Sequence, residues 1–172
     1  MEILTERLRL RDFVLNDWAD VLAYQQDPRY LQFYHWINRT EPEVRRFVQM
    51  FVEQQRQQPR YQFQLAITLR GQETLIGNCG IRLEGPEEEI ADIGYELDPK
   101  HWGNGYATEA ATAVLDFGFD RLDLHRVWAH CIAENVASVR VLQKLGMTQE
   151  GRLRQNEWMK GRWWDTLVFA IL

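Results

Sequence analysis

Two glycines, Gly103 and Gly105, stand where one structural pattern hands over to another. The apolar alternation Ile93, Tyr95, Leu97 stops at Asp98-Pro99, and helical spacing begins just past the second glycine. Ala107, Ala110, Ala111, Val114, Leu115 and Gly118 then recur as one face of a helix. The first N–H groups of a helix have no internal partners, and the helix dipole adds to their pull on an anion. Small residues in the turn let the backbone approach a phosphate closely. The chemistry on offer is therefore anion binding, with phosphate the natural ligand. No Gly-Lys-Ser/Thr follows the glycines, which argues against a P-loop nucleotide site. The four histidines, His35, His101, His125 and His130, lack metal-ligand spacing, so no metal site is expected.

The rest of the chain supplies elements to position that turn. Arg7 to Phe13 alternates as a half-buried strand. Asn16 or Asp17 can cap a helix that ends before Asp27-Pro28, and a loop rich in aromatics follows: Tyr30, Phe33, Tyr34, His35, Trp36. Thr40-Glu41-Pro42-Glu43 is a capping box opening a helix to about Gln58. Tyr61–Leu69 and Leu75–Leu83 read as a hairpin, with Gly77 and Gly80 marking a bulge or a close neighbour. Ile90–Leu97 extends an antiparallel meander, and the helix from Tyr106 runs to about Arg121. A strand over Arg126–Ile132, a helix over Val136–Leu145 stopped by Gly146, and strands over Met147–Glu157 and Arg162–Leu172 complete the chain. The order β-α-α-β-β-β-α-β-α-β-β is that of an α+β fold in a single domain spanning 1–172.

Composition narrows the partners. The chain has 172 residues with 20 basic and 25 acidic side chains, a net charge of −5. That balance disfavours nucleic acid and mildly favours a cationic partner. No apolar run approaches the roughly 20 residues that span a membrane. The N-terminal alternation resembles neither a signal nor a transit peptide, so a cytoplasmic location is expected. Cys79 and Cys131 lie in apolar strand-like runs and read as core residues of a reducing compartment.

The motifs together resemble the GNAT superfamily of acyl-CoA-dependent N-acyltransferases. Within it, the chain is similar to the branch containing the ribosomal-protein-alanine N-acetyltransferases. The resemblance rests on TERLRLR at 5–11, IGYELDPKHWGNGYATEA at 93–110, NVASVRVLQKLGM at 135–147, EGRLR at 150–154 and the terminal WWDTLVFAIL. It implies a GNAT fold, with a central mixed, mostly antiparallel seven-stranded sheet flanked by about four helices. It implies acetyl-CoA as co-substrate and an amine acceptor, either a protein N-terminus or a small molecule. A homodimer is compatible with it. A CoA-binding sensor or interaction module without turnover is the alternative on the same fold.

The resemblance also implies site residues. The family's Arg/Gln-X-X-Gly-X-Gly/Ala frame falls on Trp102, Gly103, Asn104, Gly105, Tyr106 and Ala107, with Trp102 in place of the leading Arg or Gln. Backbone N–H groups of 103–108 would hold the pyrophosphate, with the Thr108 hydroxyl assisting. A second cofactor contact, Asn-X-X-Ala/Ser, lands on Asn135 and Ser138, both of which also suit a helix cap. The tyrosine that protonates the departing thiolate in many relatives falls on Leu142, leaving Ser138 as the candidate acid. The splayed strand before the phosphate loop would offer the Leu97 N–H to the oxyanion. Glu96 on that strand is the candidate base, with Asp92 and Asp98 on the same side by alternation, or else one of three acids on a solvated face. Tyr34, His35 and Trp36, with Trp158, Lys160 and Trp163, would wall the acceptor pocket, unless they pack in the core or at a dimer face.

Overall fold

The period-two and period-3.6 stretches fold into eight strands and five helices, and the computed structural model describes residues 1–172. In chain order these are β1 (Glu2–Leu4), β2 (Leu8–Asp12), α1 (Trp18–Gln25), α2 (Pro28–Leu31) and α3 (Glu41–Gln54). Then come β3 (Gln62–Leu69), β4 (Leu75–Leu83), β5 (Ile90–Leu97), α4 (Tyr106–Leu122) and β6 (Arg126–Ile132). Finally α5 (Val136–Lys144), β7 (Thr148–Met159) and β8 (Arg162–Ile171) close the chain. One sheet takes all the strands in the order β1-β2-β3-β4-β5-β6-β8-β7. Every pair is antiparallel except β5 with β6.

Two cores form because each face of the sheet is apolar. On one face α4 lays Ala110, Ala111, Val114 and Leu115 against Leu10, Leu65, Ile81 and Ile93. The other face carries α1–α3, whose Val21, Val44, Val48 and Phe51 gather around Phe13 and Ala66. Each fully buried aliphatic or aromatic side chain of this kind stabilises the fold by about 1.5–3 kcal/mol. Gly118 lets α4 approach the sheet, since a Cβ there would stand 2.7 Å from Ile81 Cδ1.

The sheet has eight strands rather than seven. Met1 to Leu4 is too short to show a period, but Glu2, Ile3 and Leu4 pair with Arg11, Leu10 and Arg9 across the turn. A four-residue helix, α2, follows Asp27, whose carboxylate caps the Arg29 N–H at 2.9 Å. The expected α1 cap at Asp17 is a different device. Its carboxylate accepts from the Val14 N–H and is gripped by Arg11 at 2.7 and 2.8 Å, in a 3-10 turn before α1. Helix α3 opens at the expected box, with the Thr40 N–H donating to Glu43 at 2.8 Å. It stops at Gln54, short of Gln58, whose place before Pro59 disfavours helical backbone. Gly77 and Gly80 both prove to be close neighbours. A Cβ on Gly77 would lie 2.3 Å from the Glu96 carbonyl oxygen, and one on Gly80 2.2 Å from Gln64 Oε1.

Strand β5 runs parallel to β6 only over Ile90, Ala91 and Asp92. Beyond Asp92 the two part, and the sheet opens along half of β5.

Candidate active site

The glycine turn sits at the end of the opened strand. Gly103 and Gly105 both have φ of 80°, in the left-handed region that side chains resist, so glycine is needed at both. The N–H groups of Gly103 to Thr108 make no backbone hydrogen bond. The first internal one belongs to Glu109, donating to the Gly105 carbonyl at 3.0 Å. Trp102 has a structural function in the place of the family's Arg or Gln. Its indole N–H donates to the Leu97 carbonyl at 2.8 Å and ties the turn to the end of β5, while the ring stays 47% exposed. Asn104 braces the turn internally through the His101 and Trp102 carbonyls.

Backbone direction on β5 follows from one bond. The Asp98 N–H donates to the Ile76 carbonyl on β4 at 2.8 Å, so alternation turns the Leu97 N–H toward the opened edge. The Asp98 carboxylate is engaged in the turn that follows the strand. It accepts from the Lys100 N–H at 2.9 Å and caps a 3-10 turn, while Asp92 is paired with Arg82.

The parting of β5 and β6 leaves a cavity of about 270 Å³ that is lined from both faces of the sheet. On the α5 face stand Tyr95, Cys131, Asn135, Ser138 and Leu142. Asn135 Oδ1 caps α5 by accepting from the Ser138 N–H at 3.2 Å, which leaves its amide N–H groups free to donate. The Tyr95 hydroxyl donates to the Ser138 carbonyl at 3.1 Å and lies 3.0 Å from Ser138 Oγ. Burial raises the Tyr95 phenol, an effect partly offset by Ser138, so it remains a neutral partner. Burial likewise pushes the Cys131 thiol up to about 11.

Glu96 points to the opposite face and does not line this cavity; Gly94 and Tyr95 do. Its Oε1 accepts from Asn78 Nδ2 at 2.6 Å, the Tyr24 hydroxyl at 2.7 Å and Gln25 Nε2 at 2.9 Å. Its Oε2 accepts from the Tyr30 hydroxyl at 2.5 Å and, more loosely, the Tyr34 hydroxyl at 3.4 Å. A carboxylate has about four lone-pair sites, so this one is saturated. The amides are aimed by arginines behind them: Arg82 donates to Gln64, Gln64 to Asn78, and Arg39 to Gln25. Burial first, and the Glu96 charge second, drive the phenols of Tyr24, Tyr30 and Tyr34 above the ordinary tyrosine range, keeping them donors.

Tyr34, His35 and Trp36 line the cavity on this same face, and the aromatic rings are already stacked. Tyr34 lies between Tyr30 and Trp36 with centroids at 4.4 and 4.9 Å, and Arg39 covers Trp36 at 4.4 Å. From β7 the wall is Glu157 and Met159, rather than Trp158, Lys160 and Trp163. Trp158 and Trp163 form an exposed edge-to-face pair, and the Lys160 ammonium donates to the Leu31 carbonyl. Glu157 Oε2 meets His35 Nε2 at 3.0 Å, joining strand to aromatic loop at the cavity wall. Sequence reasoning passed over Glu157 and Tyr95. Asn78, a lone amide within the apolar run Leu75–Cys79, was the available signal that something polar lay across from it.

A turn of unpaired N–H groups, a parted parallel strand pair and a capped helix across the cleft are the features to set beside known proteins. The family model for the acetyltransferase (GNAT) domain matches residues 7–148. The uncharacterized N-acetyltransferase p20 of Bacillus licheniformis is 37% identical over 175 residues, covering 100% of this chain and 97% of that protein. A GNAT-family acetyltransferase from Bacillus anthracis superposes with a TM-score of 0.87 at 33% identity, covering 100% of this chain and 98% of that one. A ribosomal-protein α-N-acetyltransferase in complex with coenzyme A has the same fold, with a TM-score of 0.87 at 23% identity over 100% and 98% of the two chains. The chain belongs to the GNAT family of N-acetyltransferases.

Proposed function

We propose that the protein transfers an acetyl group from acetyl-CoA to a primary amine, by direct attack in a complex that holds both reactants. The parting of β5 and β6 beyond Asp92 carries this reading, because it joins a free N–H turn to a cavity open toward both faces. The chemistry of the donor set fits the cofactor. Gly103, Asn104, Gly105, Tyr106, Ala107 and Thr108 would cradle the pyrophosphate through unpaired N–H groups at a helix start, with Trp102 tying the turn to β5 through its indole. The free amide of Asn135 would donate to the pantetheine arm, and the Leu97 N–H would meet the thioester carbonyl.

A thioester carbonyl gathers negative charge as the amine attacks it. A preorganised backbone donor such as Leu97 N–H is worth roughly 2.7–4 kcal/mol in that setting. Ser138 supplies the proton that the leaving thiolate needs, with Tyr95 fixing its rotamer. The attacking amine starts protonated, since its ordinary pKa is about 8 for an α-amine and about 10.4 for a lysine. Glu96 reaches the cavity only through Tyr34, so it serves as a fixed anion that orients that hydroxyl toward the incoming ammonium. The His35–Glu157 pair stands in the wall itself and takes the proton. Holding the two reactants aligned supplies a further ~7–11 kcal/mol of the barrier.

Thiol release from acetyl-CoA, measured against N-terminal peptides, polyamines and amino acids, tests the proposal. Release matched by acetylated amine is expected. Thermal stabilisation by CoA with no thiol release for any amine would overturn it. Gly105→Val places a side chain in the proposed cradle, and unchanged CoA affinity would remove the loop from cofactor binding.

A further inference from the structure

Thr5 and Arg7 open the TERLRLR motif, yet neither lies in a strand, and their side chains reach the start of α4. The Arg7 Nη1 group donates to the Asn104 carbonyl in the glycine turn at 2.9 Å. Its Nε and Nη2 groups hold Glu109 Oε2 at 2.7 and 2.6 Å. Glu109 Oε1 accepts from the Arg7 N–H at 2.9 Å and the Thr5 hydroxyl at 2.6 Å. The guanidinium also lies 4.7 Å from the Tyr106 ring centroid.

Two physical consequences converge on the turn. A trans peptide sets its C=O and N–H on opposite sides, so holding the Asn104 carbonyl toward Arg7 turns the Gly105 N–H away from it. Glu109 is the fourth residue of α4, where an unpaired carboxylate would oppose any anion bound at the same helix start. Arg7 cancels that charge at contact distance. Burial alone would raise Glu109, but the bonds from Thr5 and Arg7 outweigh it and hold the carboxyl below its ordinary range.

We propose that Arg7 is a positioning residue for the cofactor phosphates: it aims the Gly105 N–H through Asn104 and neutralises Glu109 beside the phosphate site. This rests on the reading of residues 103–108 as the pyrophosphate cradle. A lysine cannot replace it, because one ammonium lacks the planar fork that reaches Glu109 and the Asn104 carbonyl together.

The test compares acetyl-CoA with acetyl-pantetheine, a thioester donor without the nucleotide pyrophosphate. Arg7→Gln and Arg7→Lys should each raise KM for acetyl-CoA by about tenfold, the scale of one lost charge-assisted interaction, with kcat at saturation unchanged. KM for acetyl-pantetheine should not move. Arg7→Gln with Glu109→Gln should recover part of the loss, because the repulsive charge is gone while the Asn104 carbonyl remains unheld. Equal losses with both donors would make Arg7 a fold-stabilising residue only and overturn the proposal, as would a wild-type KM for acetyl-CoA in Arg7→Gln. Gly105→Val keeps the two readings apart. If it abolishes CoA binding while Arg7→Gln does nothing, the cradle stands and the role of Arg7 falls. If Gly105→Val binds CoA normally, the cradle itself is wrong.

Discussion

Asn78 Nδ2 donates a 2.6 Å hydrogen bond to Glu96 Oε1 from the register position directly opposite it, across β4 and β5. The bond lies on the stretch of β5 that has already left β6, and Gln64 and Arg82 fix the direction of the Asn78 amide from behind. Every group around Glu96 is thus a donor pointing inward. Such a carboxylate is a structural anion first, and it meets the cavity only through the Tyr34 hydroxyl.

Glu96→Gln is therefore expected to cost stability as well as rate. Its amide would turn N–H groups toward donors, leaving at least one buried group unpaired at about 1–3 kcal/mol. A melting temperature lower by about 5 °C is the expected reading for a chain of this size. A variant with wild-type melting temperature and no turnover would instead assign the proton transfer to Glu96 itself.

Glu157→Gln should behave in the opposite way. Glu157 and His35 meet at an exposed wall, so the melting temperature should hold while kcat falls by about 10²–10⁴, the usual contribution of a positioned proton acceptor. His35→Gln should lower kcat in the same manner, with the melting temperature again unchanged. Wild-type kcat in both variants would place the base elsewhere.

Ser138→Ala should lower turnover more than it lowers CoA affinity. Tyr95→Phe, which keeps the ring and loses the hydroxyl, should show the same split to a smaller degree. The double variant should be no slower than Ser138→Ala, because the hydroxyl of Tyr95 acts through Ser138. Full activity in Ser138→Ala would remove that residue from the mechanism.

Both thiols should be silent in the native protein at pH 8. Burial pushes Cys131 up to about 11 and Cys79 up to about 12. Raised values mean the neutral thiol persists to high pH, and at pH 8 only about one Cys131 in a thousand is thiolate. Titration with a coloured disulfide reagent should register two thiols only after unfolding. Rapid native reaction of one thiol would show Cys131 to be more open than its 8% exposure allows.

The turn at Gly103 to Thr108 was legible because everything that makes it is local: a strand that ends, two glycines and a helix that starts within one stretch. Asn135 was legible as a cap for the same reason, the N–H that donates to it being three residues ahead. Strand β1 was not, because three residues carry no period and only pairing with β2 orders them. Nor was the charge logic of the turn, since Arg7 and Glu109 lie 102 residues apart in the chain.

Glu96 marks the boundary between the two kinds of knowledge. Alternation along β5 placed its side chain on one face of the strand, and the phosphate turn beside it suggested the reacting end. What covers that face came from residues 18 to 72 positions away, Asn78 and Tyr24 at the extremes, and converted a candidate base into a saturated anion. The sequence by itself determined the glycine turn and the helix start behind it, through short-range spacing that backbone geometry enforces locally. Only the tertiary structure decided where β5 and β6 part, which carboxylate meets the cavity and how the turn is held, because those depend on packing between distant elements.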